Sequence, residues 1–372
     1  MEQIAQLKQV VDDLLQEARK QGADSAEAGV SVQTGLSVTV RLGEIETIEH
    51  TSDNGLAVTV SFDRRKGSAN TTDLRPEAIR ESVAAACRIA KHTSEDPAAG
   101  LADPELMARE VPDLDLYHPW QLSVEAATET ARECEDAARG LDPRISNSEG
   151  ATLYTQRSSF IYGNSHGFVG GYPTTRHGLS CAVIAQQDDE MQRDYWYDSS
   201  RLPSALADPA EIGREAARRT LARLGGRRLG TRECPVLFRA DVAPSLLRSL
   251  FGAIRGHAVY RRSTFMLGKV GTQIFPDWVT VSEDPLVPRG RASAPFDNEG
   301  VATHYRELVA GGVLQGYLLD SYAARKLGLQ STASAGGVRN ARIASSGQSF
   351  DELLREMDRG LVVTELMGQG AN

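Results

Sequence analysis

The apolar period of this chain changes early, from helical to strand spacing, and that change limits the folds open to it. Ile4, Leu7, Val11, Leu14, Leu15 and Ala18 recur at helical spacing, and Gly22 supplies a stop. Beyond it Val38 and Val40, then Ile45 and Ile48, alternate in strand fashion across a turn at Gly43-Glu44. Leu56, Val58, Val60 and Phe62 continue the alternation after Asp53-Asn-Gly55, which reads as a hairpin turn. One amphipathic helix therefore leads into an antiparallel meander.

The pattern then mixes helices and strands without strict β-α alternation, which predicts an α+β fold. A helix is expected from Pro76 through Ile79, Val83 and Ala86 to about Ala90. Residues 94–120 contain Pro97, Pro104, Pro112 and Pro119 and read as an extended crossing loop. Ser123 is a candidate N-cap for a helix from Val124 to Arg139, with Glu125 in its first turn. Residues 144–200 return to strands, with Gly163, Gly167, Gly170 and Gly171 as turn punctuation. Asp208-Pro209 opens a helix to about Leu224, which Gly225-Gly226 ends. A domain boundary is placed there, giving an N-terminal α+β domain over 1–226 and a mainly β domain over 227–372. In the second domain Pro235–Phe238 reads as a short strand. Asp241 to about Ala258 reads as one helix, striped by Leu246, Leu247, Leu250, Phe251 and Ile254. A hairpin is expected about Gly311-Gly312, and residues 361–367 form a last strand. The five residues after it are turn material that would lead to a partner strand, so the second domain reads as incomplete.

The 372 residues carry a net charge of −9, and such a surface argues against general affinity for nucleic acid. No run of about 18 apolar residues occurs, so no bilayer-spanning helix is expected. The N-terminus lacks a basic region and an apolar core, so no secretory signal is expected. Cys87, Cys134, Cys181 and Cys234 lie far apart without a Cys-x-x-Cys pair, as for reduced thiols in a cytoplasmic protein.

The segment Phe251-Gly-Ala-Ile-Arg-Gly-His-Ala-Val-Tyr-Arg-Arg-Ser-Thr-Phe265 carries one histidine, His257, with no glutamate and no second histidine at metal-binding spacing. A hydrolytic zinc site needs three protein ligands, an open position and a nearby carboxylate. His257 therefore reads as an edge-of-core histidine or as a contact to bound peptide. Arg261, Arg262, Ser263 and Thr264 offer guanidinium and hydroxyl groups that suit a peptide carboxylate, or an ion pair with Glu283-Asp284. Asp297 and Glu299 stand two apart in a turn, which Asx-turn chemistry explains more simply than acid/base work. The loop with Gly336, Gly337 and Arg339 lacks the order of a nucleotide site, and its glycines permit close approach to an extended ligand. The arginines at 214, 218, 219, 223, 227, 228 and 232 read as a solvated helix face and its exit.

Several of these segments resemble one family. They are Gly22-Ala-Asp-Ser-Ala-Glu-Ala28, Val259-Tyr-Arg-Arg-Ser-Thr-Phe265, Phe275-Pro-Asp-Trp278 and Ala294-Pro-Phe-Asp-Asn-Glu-Gly300. Leu319-Asp-Ser-Tyr-Ala-Ala-Arg-Lys-Leu-Gly328 and the run from Gly360 to Gly370 complete the set. Together they resemble the TldD/PmbA proteins, in the PmbA (TldE) branch. The resemblance implies one subunit of a cytoplasmic, heteromeric metalloprotease acting on unfolded or flexible peptides, such as leader peptides and antitoxin-like proteins. It places Gly252, Ala253 and His257 where TldD-type subunits carry a His-Glu-x-x-x-His motif. It thus implies no catalytic residue and no metal on this chain, with zinc on a TldD-like partner, and family members continue past the point where this sequence stops. Two other readings stay open: a self-sufficient metallopeptidase using His257, and a non-proteolytic regulator of the gyrase-modulator kind.

Overall fold

The computed structural model describes residues 2–366. They form two compact units, one of residues up to 95 with 115–228, the other of residues 96–114 with those from 229 onward.

The first unit runs α1 (Glu2–Lys20), β1 (Ser25–Arg41), β2 (Glu44–Phe62), β3 (Arg65–Thr71), α2 (Pro76–His92), α3 (Val124–Arg139), β4 (Ile145–Asn164), β5 (Val169–Gln187), β6 (Glu190–Ser200) and α4 (Pro209–Leu221). Its six strands form one antiparallel sheet in the order β3-β2-β1-β4-β5-β6. Side chains alternate along a strand, so Ala26, Ala28, Val30, Leu36, Val38 and Val40 of β1 share a face. The first three join the core under α1 and α2. The last three join the core under α3 and α4. The predicted caps are present: Ser123 accepts from the Ala126 amide at 3.2 Å and Asp208 from the Glu211 amide at 3.1 Å.

Two turn assignments are corrected. Asp53-Asn-Gly55 is no hairpin turn but lies inside the unbroken strand β2, with Gly55 opposite Ser31. The reversals occur at Leu42-Gly43, with φ of 54° and 83°, and at Asp63-Arg64, with φ of 47° and 63°. Two successive positive φ values give the twist that a tight hairpin requires, and pairing along the whole of β1 overrides the local Asn-Gly signal. Likewise Gly163, Gly170 and Gly171 lie within strands, and only Gly167 sits in a turn.

The second unit contains β7 (Val236–Phe238), α5 (Pro244–Ala253), α6 (Gly256–Tyr260), β8 (Val281–Glu283), β9 (Arg306–Ala310), β10 (Val313–Leu314), α7 (Ser321–Leu327), β11 (Ala341–Ile343), α8 (Phe350–Met357) and β12 (Leu361–Val363). Four strands form a sheet in the order β10-β9-β8-β11, and β12 runs parallel to β7. The expected hairpin turns at Gly311-Gly312. The strands are short and four helices stand among them, so long loops replace the mostly β domain expected. The core gathers Leu250, Ile254, Val281, Leu308, Val309, Leu314 and Leu318. Residues 96–114 belong here, although a boundary at 226 assigned them to the first domain. Arg325 donates to the carbonyls of Ala98, Gly100 and Leu101 and pairs with Asp103. The Lys326 ammonium and Tyr322 hydroxyl hold the Asp96 carboxyl well below its ordinary range, to about 2. The last five residues, expected to be turn material, lie outside the described residues, as does Met367 at the end of the expected strand.

Candidate functional site

The continuous helix expected from Asp241 to Ala258 is broken. α5 ends at Ala253, Arg255 takes extended dihedrals (φ −71°, ψ 136°), and α6 starts at Gly256. The cause is tertiary. The Gly256 amide donates to the Leu318 carbonyl at 2.8 Å, and the Leu318 amide donates to the Ile254 carbonyl at 3.0 Å. Those bonds draw the chain out of helical register. Gly256 is also required by space, because a Cβ there would lie 2.4 Å from the Ala323 Cβ. Gly252 and Ala253 therefore stand on one helix and His257 on the next.

His257 is exposed, not part of the core edge. Gly252 and Ala253 offer no donor side chain, and among the described residues no three His, Cys, Asp or Glu side chains converge as metal ligands. The residues present do not fit a hydrolytic zinc ion.

Beyond α6, Arg261 and Arg262 are exposed, Arg261 lying 5.8 Å over the Tyr260 ring. They do not engage the acidic pair suggested by sequence: Glu283 is taken by Arg306, and Asp284 lies 4.0 Å from Arg342. Thr264 serves the backbone, its hydroxyl donating to the Ala253 carbonyl at 2.6 Å and accepting from the Met266 amide at 3.1 Å. Tyr260 packs edge-on against Tyr322 of α7 at 5.9 Å.

At its N-terminal end α7 meets the turn at 297–300. Asp297 accepts from the amides of Glu299 and Val301 through Oδ1, at 2.9 and 3.0 Å, and from the Ala335 amide through Oδ2 at 3.0 Å. The first of these is the Asx turn expected from sequence. Glu299 accepts from the Ser321 amide at 2.9 Å. Burial pushes both carboxyls up, Glu299 to about 7, with the charges of Asp297 and Asp320 adding to the effect on Glu299. No local pattern in residues 293–300 signals that burial.

The glycine loop follows. Gly336 has φ of +90°, and a Cβ there would lie 2.7 Å from the Asn298 amide nitrogen. Its close approach is therefore to the chain's own turn. Arg339 is buried, donating to the carbonyls of Gly337 and Ala335 at 3.0 Å each, while its amide donates to Glu283 at 2.9 Å. Arg306 completes this cluster through Glu283 and Ser334. Thr264, Gly336 and Arg339 thus have local structural work, whereas His257, Arg261 and Arg262 stay open to solvent. The arginine cluster of α4 is partly neutralised: Arg214 pairs with Glu211, Arg218 with Glu215, and Arg219 and Arg223 with Asp194.

Sequence reasoning also passed over a cleft of about 690 Å³, lined by Met107, Arg109, Val301, His304, Gln330 and Ala333 among others. Its walls come from segments nearly 200 residues apart, so no spacing could reveal it.

Models of the PmbA/TldA metallopeptidase match the chain in three parts: domain 1 over residues 26–90, the central domain over 117–224 and the C-terminal domain over 231–372. The metalloprotease PmbA of Escherichia coli O157:H7 is 51% identical, over 94% of this chain and 78% of its own. The PmbA homolog of Haemophilus influenzae is 44% identical, over 99% of this chain and 81% of its own. The TldD homolog of the same organism is 27% identical, over 42% of this chain and 35% of its own. Among solved structures, a candidate modulator of DNA gyrase from Bacteroides thetaiotaomicron aligns with a TM-score of 0.92 at 25% identity, covering 97% of this chain and 82% of its own. TldE from Thermococcus kodakarensis shares the fold, with a TM-score of 0.80 at 21% identity over 97% of this chain and 83% of its own. Similarity to PmbA proteins along nearly the whole of this chain, against partial similarity to TldD, shows that the chain belongs to the PmbA/TldD metalloprotease family, in its PmbA branch.

Proposed function

We propose that this chain is the zinc-free, TldE-type subunit of a cytoplasmic heteromeric metalloprotease that processes unfolded or flexible peptides. The observation that carries the reading is the set of residues at the motif positions: Gly252 and Ala253 without donor groups, and an exposed His257 on a separate helix. A TldD-type companion supplies the metal-bearing site, and this chain helps to enclose the peptide. His257, Arg261 and Arg262 are the side chains left free to contact it. Thr264 ties the segment after α6 to Ala253, and Gly336, Gly337 and Arg339 shape their own loop.

Affinity capture of the chain together with a TldD-type protein tests this, with zinc content and cleavage of an unstructured peptide measured on each component and on the complex. The expected result is cleavage by the complex and none by this chain alone. Stoichiometric zinc and cleavage with the isolated chain would revive a self-sufficient peptidase built on His257. Capture of a topoisomerase without any TldD-type protein would favour a regulator.

A further inference from the structure

Strand β2 is paired unequally on its two sides. β1 follows it from Glu44 to Ser61, whereas β3 pairs only from Leu56 to Phe62. Along residues 44–55 the outward backbone groups meet no strand among the described residues. This stretch is exposed throughout, with only Thr51 and Gly55 partly covered. Free edges are ordinarily guarded by charged side chains, lysine above all, by proline or by a short strand, and a guard of one sign repels its own copy but not a strand of opposite charge. This one, Glu44-Ile-Glu-Thr-Ile-Glu-His-Thr-Ser-Asp-Asn-Gly55, has no lysine, arginine or proline and holds four carboxylates.

The edge is held ready. Its tip is fixed by α3, where the fully buried Glu135 carboxylate accepts from the amides of Leu42 at 2.8 Å and Gly43 at 2.9 Å. Arg132 donates to the Gly43 carbonyl at 3.1 Å. A preformed edge adds little ordering cost to strand addition.

Its side chains define what fits. Thr47, Glu49, Thr51 and Asp53 stand opposite Thr39, Ser37, Gly35 and Gln33 and so share one face. Ile45 and Ile48, exposed at 47% and 44%, stand opposite Val40 and Val38 on the other. Side chains of an incoming strand lie about 5 Å from these. Cationic groups match the Glu49 and Asp53 face, and apolar groups match Ile45 and Ile48. A second copy of the same edge would set carboxylates against carboxylates. We propose that residues 44–55 accept an extended peptide segment alternating basic and apolar residues, as a further strand on the six-stranded sheet. This is separate from the reading above: it concerns the first unit, needs no companion subunit and is tested on the chain alone, so either can fail without the other.

The probe is a fluorescein-labelled peptide of the free edge's length, alternating lysine with valine or threonine, measured by anisotropy at low salt. A counterpart with glutamate for lysine and a version N-methylated at alternate residues serve as controls. The lysine peptide should bind at least about tenfold more tightly than the glutamate peptide, with loss as salt rises. Glu49→Lys/Asp53→Lys should reverse that preference, and Glu49→Gln/Asp53→Asn, with less charge change, should abolish it if the first variant fails to fold. N-methylation on the pairing side should remove binding. Equal binding of the two charge types, or of the N-methylated probe, overturns the proposal, as does concentration-dependent self-association that the same substitutions abolish.

Discussion

The two units reach stability by different routes. In the first, long strands paired over nearly their whole length, with bulges near Ile145–Gly150, bury Val38, Leu153, Leu179 and Val183 under helices, and stability is spread over many interchangeable apolar contacts. In the second, short strands and long loops are pinned by single polar residues: Glu283 between Arg306 and the Arg339 amide, Asp297 across three amides, Thr264 and Thr303 on carbonyls. Distributed packing tolerates substitution by degrees. Point contacts fail individually, because each removal leaves a buried polar group without its partner.

The sharpest way to break the contrast is Arg306→Met, which strands the buried Glu283 carboxylate. We expect a loss of about 3–5 kcal/mol in urea unfolding, confined to the second unit by hydrogen exchange. Leu153→Ala should cost about 2–5 kcal/mol and register in the first. If Arg306→Met costs no more than a surface pair, the polar-pin account fails.

Glu299 gives a pH-dependent version of the same test. Its folded pKa lies above its unfolded one, so the folded state holds the proton more tightly between roughly 4.5 and 7. The stability contributed by this group should therefore be fullest below pH 4.5 and decline as pH rises to about 7, by up to about 3 kcal/mol. Glu299→Gln should flatten the decline, as seen by melting temperature across pH.

Glycine substitutions on either side of the helix break give a smaller effect. Gly256→Ala forces a Cβ against Ala323 and Leu319 and should cost about 1–3 kcal/mol. Gly252→Ala meets nothing within 4 Å and should be neutral or stabilising, by up to about 1 kcal/mol. Smallest is Ser123→Ala in the first unit, where loss of the cap should cost about 1 kcal/mol in thermal unfolding.

The contrast also explains what the sequence could disclose. α1 to α4, with the caps of α3 and α4, were readable because amphipathic period and capping chemistry are local signals, though α4 ends at Leu221, short of Leu224. The Asn54-Gly55 turn was misread because that signal is local while pairing with β1 is not. The break at Arg255 carried no proline, and Gly256 beside it permits a break without dictating one; bonds to Leu318, more than sixty residues away, create it. At the candidate site the lack of donor side chains at Gly252 and Ala253 was legible residue by residue. The roles of Thr264 and Arg339 were not, because the same donors suit a ligand or a backbone carbonyl until the fold supplies one.

The room around Gly252 has a further meaning. Nothing in the packing forbids a larger side chain there, so the lack of a donor group at that position is a matter of amino-acid identity, not of scaffold. A histidine grafted at that position would be accommodated by the existing architecture, so this helix can be asked directly whether added donor side chains are enough to hold a metal ion.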